Sequence, residues 1–185
     1  MNITNIKQNR FLVIARTGEQ VFHLDDLARI WGINNRRSLV IAVNRYVKSG
    51  LLIRVYRGLY AIKKVSELNP VTLGAKLWRG YSYLSAETVL AKYGVIFQQV
   101  EPFTFIGPKT KQLTIGPYRY HCRQLQDKHL YNDLGVIKGQ VVVAEASLER
   151  AAADLLYFNP RYHFDNPGAL NKARLRKIRR EVYNQ

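Results

Sequence analysis

The side chains of this sequence that could do chemistry are cations without acidic neighbours. No aspartate or glutamate occurs between Asp26 and Glu67, so the lysines and arginines of that segment lack carboxylate partners three or four residues away. Guanidinium and ammonium groups bind phosphate oxygens through charge-assisted hydrogen bonds. The segment therefore predicts a surface that binds the phosphate backbone of nucleic acid. The alternative interpretation is a solvated face with ordinary surface charges.

The charge of the whole chain favours the same partner. The 185 residues include 29 lysines and arginines against 13 acidic residues, a formal net charge of +16. Such an excess destabilises a compact protein by self-repulsion unless a polyanion neutralises it. Residues 1–64 carry 12 basic and 3 acidic side chains, so the N-terminal third is the most densely cationic part of the chain.

Three predicted helices lead into a β-hairpin in this N-terminal third. The apolar spacing predicts helices at residues 6–16, 24–31 and 36–49, each ending close to a glycine. A three-residue turn, 33–35, separates the second helix from the third, which is the arrangement of a helix-turn-helix. The third helix is therefore the candidate recognition helix.

The candidate recognition helix has two distinct faces at about 100° per residue. One face, predicted to pack inward, consists of Leu39, Val40, Val43, Tyr46 and Val47. The opposite face consists of Arg37, Ser38, Ile41, Asn44, Arg45 and Lys48. A helix with one apolar and one basic face is expected to pack on its own domain and to contact DNA with the other side.

Residues 51–62 form two β-rich runs around a tight turn at Arg57 and Gly58, which predicts a hairpin wing. The wing completes a winged helix-turn-helix, and its cations can position the protein on phosphates. Tyr56 and Tyr60 could stack on a base, but we expect them to pack against the helices. The predicted DNA-contacting residues are Asn34, Asn35, Arg36, Arg37, Ser38, Ile41, Asn44, Arg45, Lys48, Arg54, Arg57, Lys63 and Lys64.

A short connector at residues 66–70, which contains Pro70, indicates a second domain. We expect an α+β protein in which residues 1–65 form the DNA-binding domain and residues 66–185 a mixed α/β domain. Ser85 is expected to cap a helix. The predicted helices of the second domain are 70–78, 86–93, 148–158 and 169–183, and its predicted strands are 81–84, 103–106, 112–115, 118–123 and 140–144.

The last predicted helix, 169–183, is rich in lysine and arginine, which surround Leu170, Leu175 and Ile178. Two interpretations are open. The helix is either a second phosphate-binding element or a solvated, partly frayed terminus.

The remaining residues favour a protein that is not an enzyme and holds neither a metal nor another cofactor. Cys122 is the only cysteine, and the four histidines lack metal-ligand spacing. The acids of the second domain are spread along the chain, and no phosphate-binding lysine loop or nucleophile elbow occurs. A metal-dependent nuclease remains the enzymatic alternative. No long apolar run or signal peptide is present, so we expect a cytoplasmic protein.

Three segments of the chain resemble the recurrent blocks of the AbiEi-like antitoxins, the abortive-infection type IV toxin-antitoxin family. The first segment is residues 50–60, in the wing. The second is residues 83–94, which begin Tyr-Leu-Ser-Ala-Glu-Thr, and the third is residues 147–156, which begin Ser-Leu-Glu-Arg-Ala. Their order and spacing carry the resemblance over roughly residues 10 to 160. Ala152 and Ala153 stand where the family usually has leucines.

The resemblance implies a transcriptional autorepressor whose winged helix binds inverted repeats in its own promoter. It also implies a role in phage defence, in which residues 66–185 counter a nucleotidyltransferase-like toxin. The toxin would be a functional partner that forms no stable complex with the antitoxin. The alternative is a winged-helix regulator with a sensory second domain and no toxin. One winged helix reads one half-site, so we expect two protomers to pair on operator DNA. No heptad run indicates a stable dimer, so we expect a monomer in solution. We expect no membrane partner.

Overall fold

The computed structural model describes residues 3–98, 101–138 and 143–185. These residues form a mixed fold of helices and two β-sheets. The chain divides into two compact units. The N-terminal unit extends to Asn69 and includes residues 115–117. The C-terminal unit comprises residues 70–114 and 118–185. Within the described residues, no helix combines the length and the apolar character needed to cross a membrane.

The N-terminal unit begins with helix α1 (Ile3–Arg16), strand β1 (Val21–His23), helix α2 (Leu24–Trp31) and helix α3 (Arg36–Lys48). The backbone N–H of His23 donates to the Asp26 carboxylate, at 3.0 Å, and so helps to start α2. Gly32 ends this helix in the left-handed conformation, with φ of 62°. Helix α2 has the predicted bounds, whereas α1 begins three residues before the predicted start and α3 ends one residue before the predicted end.

Strands β2 (Ile53–Tyr56) and β3 (Leu59–Ala61) form the predicted hairpin. The sheet has the order β1-β3-β2, and both pairings are antiparallel. The register shifts between Arg54 and Tyr56, so the strand bulges at Val55. Strand β1 has only three residues and was not predicted, because such a short segment shows no measurable alternation.

The core of the N-terminal unit joins all three helices to the sheet. The rings of Trp31 and Tyr46 lie 4.9 Å apart, and the Trp31 indole N–H donates to the backbone carbonyl of Arg10 at 3.2 Å. Burial raises the pKa of the Tyr46 hydroxyl, and the positive charge of Arg10 lowers it to a smaller extent. These contacts hold α3 in one rotation about its axis. The buried core residues are Ile14, Phe22, Leu24, Leu27, Trp31, Leu39, Ala42, Val43, Tyr46, Leu52 and Tyr60.

The C-terminal unit is built on a six-stranded sheet. Its order is β6-β7-β5-β4-β9-β8, with parallel pairing of β5 with β7 and of β4 with β9. The strands are β4 (Tyr83–Leu84), β5 (Phe103–Gly107), β6 (Lys111–Ile115), β7 (Tyr118–Gln124), β8 (Val136–Ile137) and β9 (Ala144–Ala146). The helices are α4 (Pro70–Leu77), α5 (Ala86–Lys92), α6 (Asp127–Leu130), α7 (Leu148–Phe158) and α8 (Lys172–Tyr183), and a 3-10 turn occurs at Pro167–Ala169. Another 3-10 turn, Val65–Glu67, belongs to the N-terminal unit.

Several predicted bounds in the C-terminal unit need correction. The strand predicted at 81–84 is limited to Tyr83–Leu84, and the last helix begins at Lys172 rather than residue 169. Most of the strand predicted at 140–144 lies outside the described residues, and β9 occupies Ala144–Ala146. Strand β8 and helix α6 were not predicted, because each is too short for a periodic signal. Helix α7 has the predicted bounds.

Ser85 precedes α5 as predicted, but its side chain makes no capping hydrogen bond. Its hydroxyl donates instead to Asp154 on α7, with Oγ and Oδ2 2.6 Å apart. Asp154 also accepts hydrogen bonds from Arg150 Nε, at 2.8 Å, and from the Tyr183 hydroxyl. The buried carboxylate is therefore compensated by one cation and two hydroxyl donors, which a charge removed from water requires.

Arg150 is the largest wholly buried side chain of the C-terminal unit. Burial alone would lower the pKa of its guanidinium, but the charge of Asp154 raises it further, so the group stays charged. Besides Asp154, its nitrogens reach the Tyr83 hydroxyl at 2.9 Å and three backbone carbonyls. The carbonyls are those of His129, Asn132 and Leu134, at 2.9 to 3.0 Å.

Candidate nucleic-acid interface

The N-terminal end of α3 is held in place by its own cap. Asn35 has extended backbone angles, and its side-chain carbonyl accepts a hydrogen bond from the Ser38 backbone N–H at 2.9 Å. The Leu39 N–H bonds to the Asn35 carbonyl, also at 2.9 Å, which closes the first helical turn. The cap therefore sets the direction in which the first residues of α3 project.

The buried arc of α3 differs from the predicted one. Val40 was predicted to pack inward, but its side chain is 39% exposed, whereas Ala42 is buried. The buried residues centre between Leu39 and Tyr46, and at 100° per residue Val40 lies about 110° from that centre and Ala42 about 50° from it. The prediction for Val40 was therefore wrong, because the packed arc extends toward Ala42.

The opposite side of α3 is exposed along its whole length. All thirteen residues predicted to contact DNA are exposed, including Asn34, Asn35, Arg36, Arg37 and Ser38 at the start of the helix. The other eight are Ile41, Asn44, Arg45, Lys48, Arg54, Arg57, Lys63 and Lys64. Val40 and Ile41 add an exposed apolar pair to this basic face. A sequence search for cations does not find Val40, since only the packing of the helix exposes it.

One cation of this face has an acidic partner that the local sequence does not show. Arg36 Nη1 lies 3.5 Å from the Asp25 carboxylate of α2, although both side chains are more than 60% exposed. Asp25 is eleven residues from Arg36, so the pair is made by folding and not by the i, i+4 spacing that the sequence lacks. An exposed pair at this distance contributes little, about 0 to 1 kcal/mol. Within the described part of the chain, Arg37, Arg45 and Lys48 have no ion-pair partner.

The hairpin presents its cations from a fixed turn. Gly58 has φ of 75°, a conformation that side chains rarely adopt, and its carbonyl accepts a hydrogen bond from the Leu24 N–H at 3.0 Å. Arg54 and Arg57 are exposed on either side of the Val55 bulge. Tyr60 is buried in the core, which confirms that it packs rather than remaining free to stack on a base.

Several carboxylates of the C-terminal unit serve as ion-pair partners for cations. Glu87 pairs with Arg123, Glu145 with Lys92 at 2.7 Å, and Asp133 with Lys138. The described residues contain no group of three histidine, cysteine or acidic side chains that could hold a metal ion.

Cys122 and His121 point to opposite faces of β7, as expected from the alternation of a strand. Cys122 is buried, and burial raises the pKa of its thiol to about 12. His121 is half-buried, and desolvation together with the nearby Arg123 lowers its pKa.

Comparison with known proteins relates one part of the chain to a family. No curated protein is significantly similar to the chain. Residues 12–63 match the model of a family described as transcriptional regulator, AbiEi antitoxin. This match contains α2, α3 and the β2–β3 hairpin, and it includes the first of the three blocks of resemblance; the blocks at 83–94 and 147–156 lie outside it. The segment that exposes the cations of α3 and the hairpin is thus similar to the AbiEi antitoxins, a family of transcriptional regulators.

Proposed function

We propose that this protein is the antitoxin of a type IV toxin-antitoxin system and represses its own promoter through residues 1–65. The observation that carries the proposal is the exposed face of α3, where Arg37, Arg45 and Lys48 have no ion-pair partner among the described residues. This face lies in the segment that matches a family of transcriptional regulators. In this interpretation α2 and α3 form the helix-turn-helix and the hairpin is the wing.

The exposed side chains divide into two roles by their chemistry. Arginine recognises guanine and asparagine recognises adenine through paired hydrogen bonds in the major groove, so Arg37, Asn44 and Asn34 would contribute to sequence preference. Val40 and Ile41 offer apolar contacts for a thymine methyl group. Arg54 and Arg57 on the wing, followed by Lys63 and Lys64, would contact phosphates, which position the protein without reading sequence.

The C-terminal unit would supply the antitoxin function. The two blocks of resemblance outside the family match meet in its core: Ser85 from the first donates to Asp154 from the second, and Tyr83 accepts a hydrogen bond from Arg150. We therefore infer that these blocks preserve the architecture of one domain. The nucleotidyltransferase-like toxin would be countered without a stable complex.

We also infer that operator binding pairs two protomers on an inverted repeat. Two free chains of +16 repel each other, whereas DNA neutralises both and lets them approach. Sedimentation at micromolar concentration should show a monomer without DNA. A stable dimer, or independent filling of the two half-sites in a gel-shift series, would contradict this.

Binding to a fluorescent duplex from the chain's own promoter, measured against salt, tests the DNA-binding part. Each phosphate neutralised should contribute about 0.9 to the slope of log K against log salt. Arg54→Ala with Arg57→Ala should weaken promoter and arbitrary duplexes equally. Arg37→Ala or Asn34→Ala should also reduce the preference for the promoter.

Arg119→Ala is the matched control, because Arg119 is exposed but pairs with Glu101 in the C-terminal unit. It should leave the preference for the promoter unchanged. Unchanged affinity in all the N-terminal variants would overturn the assignment of the winged helix.

Protection of cells from the toxin tests the other half of the proposal. The full chain with Arg37, Arg45, Arg54 and Arg57 changed to alanine should lose repression but still protect cells that express the neighbouring nucleotidyltransferase gene. If no neighbouring gene encodes such an enzyme, or if no neighbouring product is toxic, the regulator without a toxin is favoured.

A further inference from the structure

Helix α8 concentrates positive charge on the C-terminal unit. Its twelve residues include six cations, Lys172, Arg174, Arg176, Lys177, Arg179 and Arg180, and one acid, Glu181. Asn171 caps its start by accepting a hydrogen bond from the Arg174 N–H at 3.0 Å. Neither the network around Asp154 nor the proposed wing accounts for this density of charge.

The C-terminal end of this helix is firmly docked. Ile178, Val182 and Tyr183 are buried, and the Tyr183 ring stacks on Tyr157 with centroids 4.7 Å apart. The Tyr183 hydroxyl donates to the buried Asp154, as described above. A frayed terminus is therefore the wrong interpretation.

A second set of contacts holds the same end of α8 through its backbone. The His129 ring nitrogen Nδ1 donates to the Val182 carbonyl, and the Asn132 side chain donates to the Glu181 carbonyl at 3.4 Å. His129 and Asn132 in turn offer their own backbone carbonyls to Arg150. The helix is thus fixed to the buried network, and its cations project from a rigid support.

The outward side of α8 is exposed and mostly cationic. Lys172, Arg176 and Lys177 have no acidic partner within the described residues. Arg174 and Arg180 are more than half exposed, and their carboxylate partners lie 3.5 and 3.4 Å away, so both remain available to another anion. Residues four apart on a helix stand about 5 to 6 Å from one another. A row of positive charges therefore extends along a helix about 18 Å long.

The character of this face selects the class of partner. The apolar side of α8 is buried in the protein, so the helix cannot insert that side into a membrane interface. Its outward side shows no large exposed apolar or aromatic residue, whereas the centre of a protein interface is enriched in aromatic residues and depleted of lysine. A polymer with regularly repeated negative charges fits the row better.

We propose that α8 is a second nucleic-acid-binding surface, which contacts the phosphodiester backbone through Lys172, Arg176, Lys177 and Arg180 and reads no sequence. It belongs to the C-terminal unit, whereas the α3 face belongs to the N-terminal unit, and it does not rest on the function proposed for that face. DNA and RNA share the phosphodiester chemistry, so the experiment must compare them.

The test uses the full chain with Arg37, Arg45, Arg54 and Arg57 changed to alanine, which reduces the N-terminal contribution. Its binding to a 30-bp DNA duplex of arbitrary sequence and to an RNA hairpin of similar length is measured by anisotropy against salt. Adding Lys172→Gln, Arg176→Gln and Lys177→Gln should weaken the remaining binding about tenfold or more. The slope of log K against log salt should fall by about two to three, at roughly 0.9 per phosphate lost.

A matched triple variant separates position from net charge. This control removes the same charge from three exposed positions outside α8, by Arg79→Gln, Lys109→Gln and Arg161→Gln. It should change the nucleic-acid affinity less than threefold. Thermal unfolding verifies that both triple variants are folded. The proposal is overturned if the two triples weaken binding equally, if the α8 triple has no effect, or if neither nucleic acid binds. A larger loss for the duplex or for the hairpin identifies which backbone the helix contacts.

Discussion

The two units of the molecule use arginine in opposite ways. In the C-terminal unit Arg150 is fully buried and its hydrogen-bonding capacity is filled by Asp154, Tyr83 and backbone carbonyls. In the N-terminal unit Arg37 and Arg45 are exposed and lack an ion-pair partner among the described residues. A buried charge must be compensated for the domain to fold, whereas an exposed one is stabilised by water and stays available to a ligand. Exposure and partners, rather than residue type, therefore separate a structural arginine from one that can bind nucleic acid.

The largest effect on stability is expected at the buried arginine. Arg150→Ala would remove the cation that balances the buried Asp154 carboxylate. It would also take one hydrogen-bond donor from each of three backbone carbonyls. Breaking such a pair costs about 3 to 5 kcal/mol, enough to unfold a marginally stable domain. Urea denaturation followed by circular dichroism measures the change. Arg119→Ala, which breaks an exposed pair with Glu101, should cost less than about 1 kcal/mol, and an equal loss in both variants would contradict the comparison.

A smaller but clear effect is expected where α4 approaches the sheet of the C-terminal unit. A Cβ atom added at Gly74 would lie 2.5 Å from the Phe105 ring and 2.8 Å from the Tyr120 ring. Overpacking of this kind costs about 1 to 3 kcal/mol, partly offset by the higher helix propensity of alanine, about 1 kcal/mol. Gly74→Ala should therefore lower the urea midpoint.

Gly168 provides the control for that substitution. A Cβ atom there has its nearest neighbour at 3.6 Å, an ordinary contact, and the residue does not have a positive φ. Gly168→Ala should leave the urea midpoint unchanged within error. A loss at Gly168 as large as that at Gly74 would show that the close approach of α4 is not the cause.

The next effect is a pH dependence confined to alkaline solution. Burial raises the pKa of the Cys122 thiol from 9.0 to about 12, so the folded protein retains this proton at pH values where the unfolded chain loses it. The free energy of unfolding should therefore fall as the pH rises from about 9 toward 12. Cys122→Ala should show a shallower decline over that interval. At pH 8 the native thiol should react with iodoacetamide far more slowly than the thiol in urea, and a fast native reaction would contradict its burial.

The smallest effect on stability is expected on the exposed face of α3. Arg37→Ala and Arg45→Ala remove no buried contact, so the free energy of unfolding should change by no more than about 0.5 kcal/mol. The same variants should weaken binding to promoter DNA. Parallel measurement of urea unfolding and DNA anisotropy separates the two quantities. If Arg37→Ala or Arg45→Ala destabilised the protein as much as Arg150→Ala, the contrast between exposed binding arginines and the buried structural arginine would be wrong.

Local patterns in the sequence predicted most helices of the protein. The bounds of α2 and α7 are those predicted, because an i, i+3, i+4 apolar spacing and a capping residue act within one helix. The hairpin around Arg57 and Gly58 follows in the same way from the turn-forming glycine. The exposure of the thirteen candidate residues could also be predicted from the sequence. Twelve of them are polar or charged, and the apolar Ile41 is predicted to be exposed by its position on the outward face of α3.

What the sequence by itself determined is therefore the cationic segment, its division into helices and hairpin, and the basic character of α8. Only the tertiary structure decided which partners these residues have. Ser85 bonds to Asp154, 69 positions away, rather than capping its own helix. Arg36 meets Asp25 across a turn, and Tyr183 docks the end of α8 on Asp154. The physical reason is range: helix and turn signals arise between residues a few positions apart, whereas the compensation of a buried charge depends on segments that only folding brings together.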